Sequence, residues 1–318
     1  MHRMEESQMR WKLALLTVLI SLIFGMSVSS VEGEAAQKYK IRVNKQMNTV
    51  TVYQMKDGNY EPYKAFVCSA GERTPLGTFR IPGRHRWRPL VASTYGQYAT
   101  RIVGSFLFHS VVYDKPDPST LFCKEYNKLG KLASHGCIRL TVKDAKWIYD
   151  NCPNGTVVEI YKSKNPGPLG KPEAIKVPGK LGYDPTDIWS KGNPYNKKKP
   201  KITGAKNRSI PYGSEKYDMM SGIKAKNTTG YSAKKLVQCV IKYRKDKSGT
   251  YSKVKKVDTT KPGYYRITYQ LTDQIGRKAK VTVVHRVLEK QEEQGGTAIT
   301  PPAVQPSGVE TGQNSIQK

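Results

Sequence analysis

From Tyr39 onward apolar and polar positions alternate. Ile41 and Val43, then Val50 and Val52, carry the apolar phase, with Lys45-Gln46-Met47-Asn48 between them. A period of two predicts two strands joined by a turn. Ala65-Phe66-Val67-Cys68 reads as another strand, ended by Gly71, and Phe79-Arg80-Ile81 opens one more after the punctuation of Pro75 and Gly77. Phe106-Leu107-Phe108 is an apolar strand ending in His109 and Ser110. After Leu140 the period changes. Val142, Ala145, Ile148 and Tyr149 fall on one helical face, Thr141 can cap it with Asp144 three residues on, and Pro153 to Gly155 stop it. Thr156 to Tyr161 reads as a closing strand.

The pattern then lapses. Residues 163–200 are rich in Lys, Gly, Pro and Asn and predict a linker along the surface, with Tyr183, Ile188 and Trp189 as anchors. Alternation returns late in the segment 201–288. Tyr265, Ile267, Tyr269 and Leu271 form one strand, Asp273-Gln274-Ile275-Gly276 turns, and Ala279, Val281 and Val283 form its partner. Such a hairpin in a module of this size predicts a small β-sandwich. Residues 289–318, with Pro, Gly, Gln and Ser, read as a disordered tail. At the other end Arg3, Arg10 and Lys12 precede an apolar run from Leu13 to Val28, followed by small residues. Residues 1–30 are expected to be a signal peptide or a signal anchor.

Charge narrows the partners. The 318 residues carry a formal net charge of +29. The apolar share is 37% and the mean hydropathy −0.60, so part of the chain is linker or tail. A basic chain seeks a polyanion or merely solvates its surface with lysine. Export removes nucleic acid as a partner and leaves anionic wall polymers, outside the cell or at the outer face of the cytoplasmic membrane. Five cysteines, Cys68, Cys123, Cys137, Cys152 and Cys239, leave at least one thiol free in an exported chain, and no pair has metal-ligand spacing. Cys123 with Cys152 is the candidate disulfide, with free packing preferred.

The chemistry concentrates in Ser134-His135-Gly136-Cys137-Ile138-Arg139-Leu140. Cysteine attacks as thiolate, and an imidazole that takes its proton holds it ready. His109 and His135 are the two imidazoles within reach of such a role. Gly136 lets backbone approach closely, so amide N–H groups around Cys137 are candidates for an oxyanion hole. A lone Cys beside a His is more often packing, and a His ending an apolar strand is often a satisfied core residue.

The heptapeptide, together with the upstream His109 and the segment Thr74-Pro75-Leu76-Gly77-Thr78-Phe79, resembles the signature of bacterial L,D-transpeptidases, the YkuD-type catalytic domain. The resemblance covers residues 38–162. It implies a mainly β catalytic domain with a short helix after the nucleophile, followed here by a module similar to bacterial Ig-like sandwiches at 201–288. It implies Cys137 as nucleophile, His109 as base, and Ser110 beside it as in the family. The substrate would be peptidoglycan stem peptides, joined 3→3 through a thioester, with no metal or organic cofactor and with carbapenems as covalent inhibitors. His135 shapes the turn or replaces His109 as base. Arg139 holds a stem carboxylate or makes a structural ion pair, with Ser134 and Ser110 as further substrate contacts. An L,D-carboxypeptidase with water as acceptor, and a non-catalytic wall-binding protein, are the alternatives. The 28 positions between His109 and Cys137 exceed the usual gap, which places an inserted loop with one helical turn at Tyr113 to Lys131.

Overall fold

The computed structural model describes residues 37–291; the expected signal or anchor and most of the expected tail lie outside the described residues. The chain is mainly β. Its first strands are β1 (Tyr39–Asn44), β2 (Thr49–Lys56), β3 (Asn59–Val67) and β4 (Gly77–Arg80). There follow β5 (Arg84–Pro89), β6 (Tyr95–Val103), β7 (Phe106–Ser110), β8 (Leu121–Phe122), β9 (Ile138–Leu140), β10 (Val157–Tyr161) and β11 (Leu181–Gly182). Ile41, Val43, Val50 and Val52 are fully buried, so the apolar phase of the alternation faces the core.

Two sheets share that core. One runs β3-β2-β1-β10-β4 and the other β5-β6-β7-β9, with β7 and β9 parallel. The helix Val142–Asn151 follows β9 directly and buries Val142, Ala145 and Ile148. Thr141 caps it, its hydroxyl accepting from the Asp144 N–H.

Residues 113–131 are not a loose flap. They contain β8 and the helical turn Cys123–Tyr126, and Tyr113, Leu121, Cys123, Tyr126 and Leu129 are all buried. The segment 163–200 is likewise tied down, and of the expected anchors Trp189 has Lys146 Nζ 5.0 Å from its ring centroid. Ile188 and Trp189 are 60% and 47% exposed, whereas Ile175, Val177 and Tyr195 are buried. The backbone of Val177 pairs both ways with the Asn127 side chain at 2.8 Å. Asp184 accepts from Val142 N at 2.7 Å, so this segment also satisfies the N-terminus of the helix Val142–Asn151.

Contacts divide the chain into two units. The first runs to Lys201 and includes Lys226–Ala233 and Thr272–Lys278; the second comprises Ile202–Ala225, Lys234–Leu271 and the chain from Ala279. The remaining strands are β12 (Lys201–Thr203), β13 (Arg208–Ile210), β14 (Lys224–Lys226), β15 (Val237–Arg244), β16 (Ser252–Val254), β17 (Gly263–Thr272) and β18 (Lys278–Val287). The main sheet of the second unit has the order β13-β18-β17-β15-β16, and β12 pairs with β14 separately. Its core is Ile210, Ile223, Ile241, Tyr265, Ile267, Tyr269, Val283 and Val287.

Candidate active site

Strand register builds the site. β7 and β9 run parallel with Phe108 opposite Ile138, His109 opposite Arg139 and Ser110 opposite Leu140. Side chains two apart on a strand share a face, about 7 Å from each other. Cys137, immediately before β9, therefore lies on the face of Arg139 and His109. All three line one cleft of about 1080 Å³, which His135 also borders from an exposed position.

His109 is 2% exposed, and its Nδ1 lies 2.5 Å from the Ser110 carbonyl oxygen. A carbonyl only accepts, so Nδ1 carries the proton and Nε2 keeps the lone pair. Burial, with the Arg139 charge adding to it, pulls the imidazole down to about 4. Burial pushes the Cys137 thiol up, against a backbone hydrogen bond at Leu107 and the Arg139 charge. Both shifts favour the neutral thiol and the neutral imidazole over the ion pair. Gly96 sits against the ring: a Cβ there would come within 2.8 Å of His109 Nδ1. Any side chain at 96 would displace the imidazole.

The turn at Cys137 is tied from within and from a distance. The Ser134 hydroxyl donates to Cys137 O at 2.6 Å and accepts from Gly136 N at 3.0 Å. Ser134 thereby braces the turn, while it also lines the cleft. The Gly136 N–H is committed to that hydroxyl, so the expected oxyanion donors narrow to Cys137 and its neighbours. Gly136 has φ +155°, and a Cβ there would lie 2.4 Å from the Phe106 ring. From 62 positions away the Thr74 hydroxyl donates to Gly136 O at 2.6 Å while accepting from Gly71 N at 2.9 Å. Lys45, itself 8% exposed, donates to the carbonyls of Glu72 (2.5 Å) and Thr74 (2.7 Å), and burial holds its ammonium below the usual range. The Thr-Pro-x-Gly-x-Phe segment is in this way a clamp on the turn.

Ser110 is fully buried and spends its hydroxyl on Val111 O and Gln97 N. It does not line the cleft; it locks β6 to β7 behind His109. Arg139 makes the structural ion pair: its Nη1 is 2.8 Å from Glu125 Oε2, with the side chain 10% exposed. Glu125 also holds Lys128 at 2.5 Å. Arg139 Nε is buried without a partner. Glu125 comes from the inserted segment and was invisible to motif reading. Thr74 was visible as part of a motif, but only as a turn. The cleft is basic, with Arg73, Arg88, Arg101, Lys128 and Arg139 against Glu125 alone. All five cysteines are free thiols; burial raises Cys68 and takes Cys152 to about 12.

Residues 38–160 match the YkuD family, L,D-transpeptidase catalytic domain. A curated protein of Bacillus subtilis (strain 168), named "Putative L,D-transpeptidase YciB", is 39% identical over 117 residues, which are 33% of this chain and 58% of that protein. Among solved structures, a fused Zn-dependent amidase/peptidase/peptidoglycan-binding domain-containing protein from Clostridium acetobutylicum is 31% identical, covering 39% of this chain and 52% of that one (TM-score 0.31). The L,D-transpeptidase LdtMt1 in complex with imipenem is 25% identical over 39% of this chain and 59% of that one (TM-score 0.30). The chain thus spans a little over half the length of the relatives that it matches. The segment 38–160 of this chain is thus similar in sequence to the YkuD-type L,D-transpeptidase catalytic domain.

Proposed function

We propose that the cleft performs acyl transfer on peptidoglycan stem peptides and that its product is a 3→3 cross-link. The supporting observation is the common face of His109, Cys137 and Arg139, with the tautomer of His109 fixed by the Ser110 carbonyl. Cys137 attacks the carbonyl of the third stem residue as His109 Nε2 takes the thiol proton, so the two neutral groups become charged only in the reaction. The C–N bond to D-alanine breaks, His109 returns the proton to the leaving amine, and a thioester remains. The side-chain amine of a second stem then attacks, its proton passes to His109, and the thiol is released. The basic rim suits stems with free carboxylates. His109 rather than His135 is the base, because the latter is exposed while the former lies on the nucleophile's face.

We further place this chemistry outside the cell, with the second unit as an Ig-like spacer and with carbapenems as acylating inhibitors. The test is intact-mass analysis of the protein after imipenem and of the products from purified tetrapeptide stems. A single adduct that disappears in Cys137→Ala, and a cross-linked product, are expected. Release of D-alanine without a dimer would make the enzyme an L,D-carboxypeptidase, and an unmodified thiol would end the catalytic reading.

A further inference from the structure

In the second unit the pattern of β17 separates two faces. Tyr265, Ile267, Tyr269 and Leu271 point into the core, and Tyr264, Arg266, Thr268 and Gln270 point outward. The neighbouring strands extend the outward face with cations: Lys242 and Arg244 on β15, Lys253 on β16, Lys280 and Arg286 on β18. Register sets like charges side by side. Lys242 is directly opposite Arg266 on one side and Lys253 on the other. Like charges so placed oppose folding, and none of these outward strand positions carries a carboxylate. Elsewhere the fold answers such a row: Lys40 and Arg42 both reach Glu159 on the first sheet.

Two tyrosines fix the guanidiniums. Arg266 lies 3.8 Å and Arg244 4.5 Å from the Tyr251 ring centroid. Arg244 and Arg286 lie 5.5 and 5.6 Å from that of Tyr264. Each ring is capped by two guanidiniums, so the rings are taken up in holding arginine and are poor platforms for stacking a base or a sugar. What the face offers outward is rigid N–H forks, which match phosphate oxygens two at a time, among ammonium groups.

We propose that this outer sheet face is a docking surface for a linear polyol-phosphate polymer. The proposal is independent of the thiol chemistry in the first unit. The charge complement is a chain of phosphodiesters laid across the strands, each phosphate shared by cations from adjacent strands.

The test is binding of the full-length protein to poly(glycerol phosphate), measured against salt. The pair Lys242→Gln/Lys253→Gln removes two charges and touches neither ring. It should weaken binding about tenfold near 100 mM salt and flatten the salt dependence. The pair Lys216→Gln/Lys224→Gln, with the same charge loss in the same unit but off this face, should change it less than about twofold. Arg266→Lys keeps the charge and loses the fork, and should weaken binding a few-fold. Thermal unfolding of the first pair should be unchanged or raised, which separates lost binding from lost folding. Equal losses from both pairs would reduce the effect to net charge and overturn the proposal. So would binding of single-stranded DNA or polyglutamate as tight as that of the polyol phosphate, or no binding at all.

Discussion

The cleft of the first unit and the outer sheet face of the second both display arginine on β-strands, but to opposite ends. In the cleft the guanidinium of Arg139 is nearly buried and meets Glu125 at 2.8 Å, and Glu125 also holds Lys128. Cys137 and His109 beside it are both shifted toward their neutral forms, chiefly by burial. On the outer face Lys242, Arg266 and Lys253 stand in one cross-strand row with no carboxylate among the outward positions. A charge answered within the fold fixes geometry and is largely indifferent to salt. A charge left unanswered awaits a partner and is screened within about 10 Å at ordinary ionic strength. The first arrangement positions reacting atoms; the second gathers a ligand.

The sharpest way to break the comparison is at the nucleophile. Cys137→Ser keeps the shape of the turn but needs an alkoxide, so acylation by imipenem should become undetectable by intact mass. Residual acylation there would place the chemistry elsewhere. Next in size is His109→Ala, which should slow acylation by about 10²–10⁴. In the native protein the rate should hold down to about pH 4 and fall below it, because only the neutral imidazole takes the proton. An acid limb near pH 6 to 7 would mean a solvated His109 and a cleft unlike the one described. His135→Ala should leave the limb in place. Stability follows the same group. The unfolded chain binds this proton near pH 6.5 and the folded chain only near 4, so stability falls as pH drops through that window. In His109→Gln, urea unfolding at several pH values should lose that part of the slope.

What could be read in the chain was local. Ile41, Val43, Val50 and Val52 alternate within a dozen positions, and the structure buries all four. The side chains of Cys137 and Arg139 share a face because they are two apart. The pairings that finish the site are distant. Thr74 reaches Gly136 across 62 positions, Lys45 reaches the carbonyl of Thr74 across 29, and Arg139 reaches Glu125 across 14. Periodicity carries no information about such contacts, since each is made by chain segments that meet only after the sheets form. The segment 163–200 misled for a related reason. Its Lys, Gly and Pro hide Asp184, which accepts from Val142 N and ties the segment to the helix, and Asn193, which braces the segment's own backbone, without any apolar period.

The distant clamp gives a prediction of intermediate size. Thr74→Val is nearly isosteric and removes both the donor to Gly136 O and the acceptor for Gly71 N. Acylation should slow about tenfold to a hundredfold through misplacement of the turn. The cost in stability should be about 1–3 kcal/mol for the stranded backbone groups. If the rate is unchanged while stability drops, the clamp belongs to the fold alone. Thr74→Ser should recover most of the rate, because it restores the hydroxyl.

The smallest effect tests the comparison most directly, by turning the cleft into something like the outer face. Glu125→Gln keeps an oxygen acceptor for Arg139 but removes the charge that answers both Arg139 and Lys128. The rim then gains one net positive charge. Michaelis constants for stems with free carboxylates should fall a few-fold at low salt, and the advantage should vanish as salt is raised. The maximal rate should change little, since neither His109 nor Cys137 touches Glu125. The pH profile should move in a stated direction: with Arg139 less neutralised, the acid limb of His109 shifts lower, because that charge already pulls the imidazole down. A variant whose stem affinity depends on salt no more steeply than the native protein's would show that Glu125 does not mask Arg139. The contrast between answered and unanswered charge would then fail at the place where it is stated most strongly.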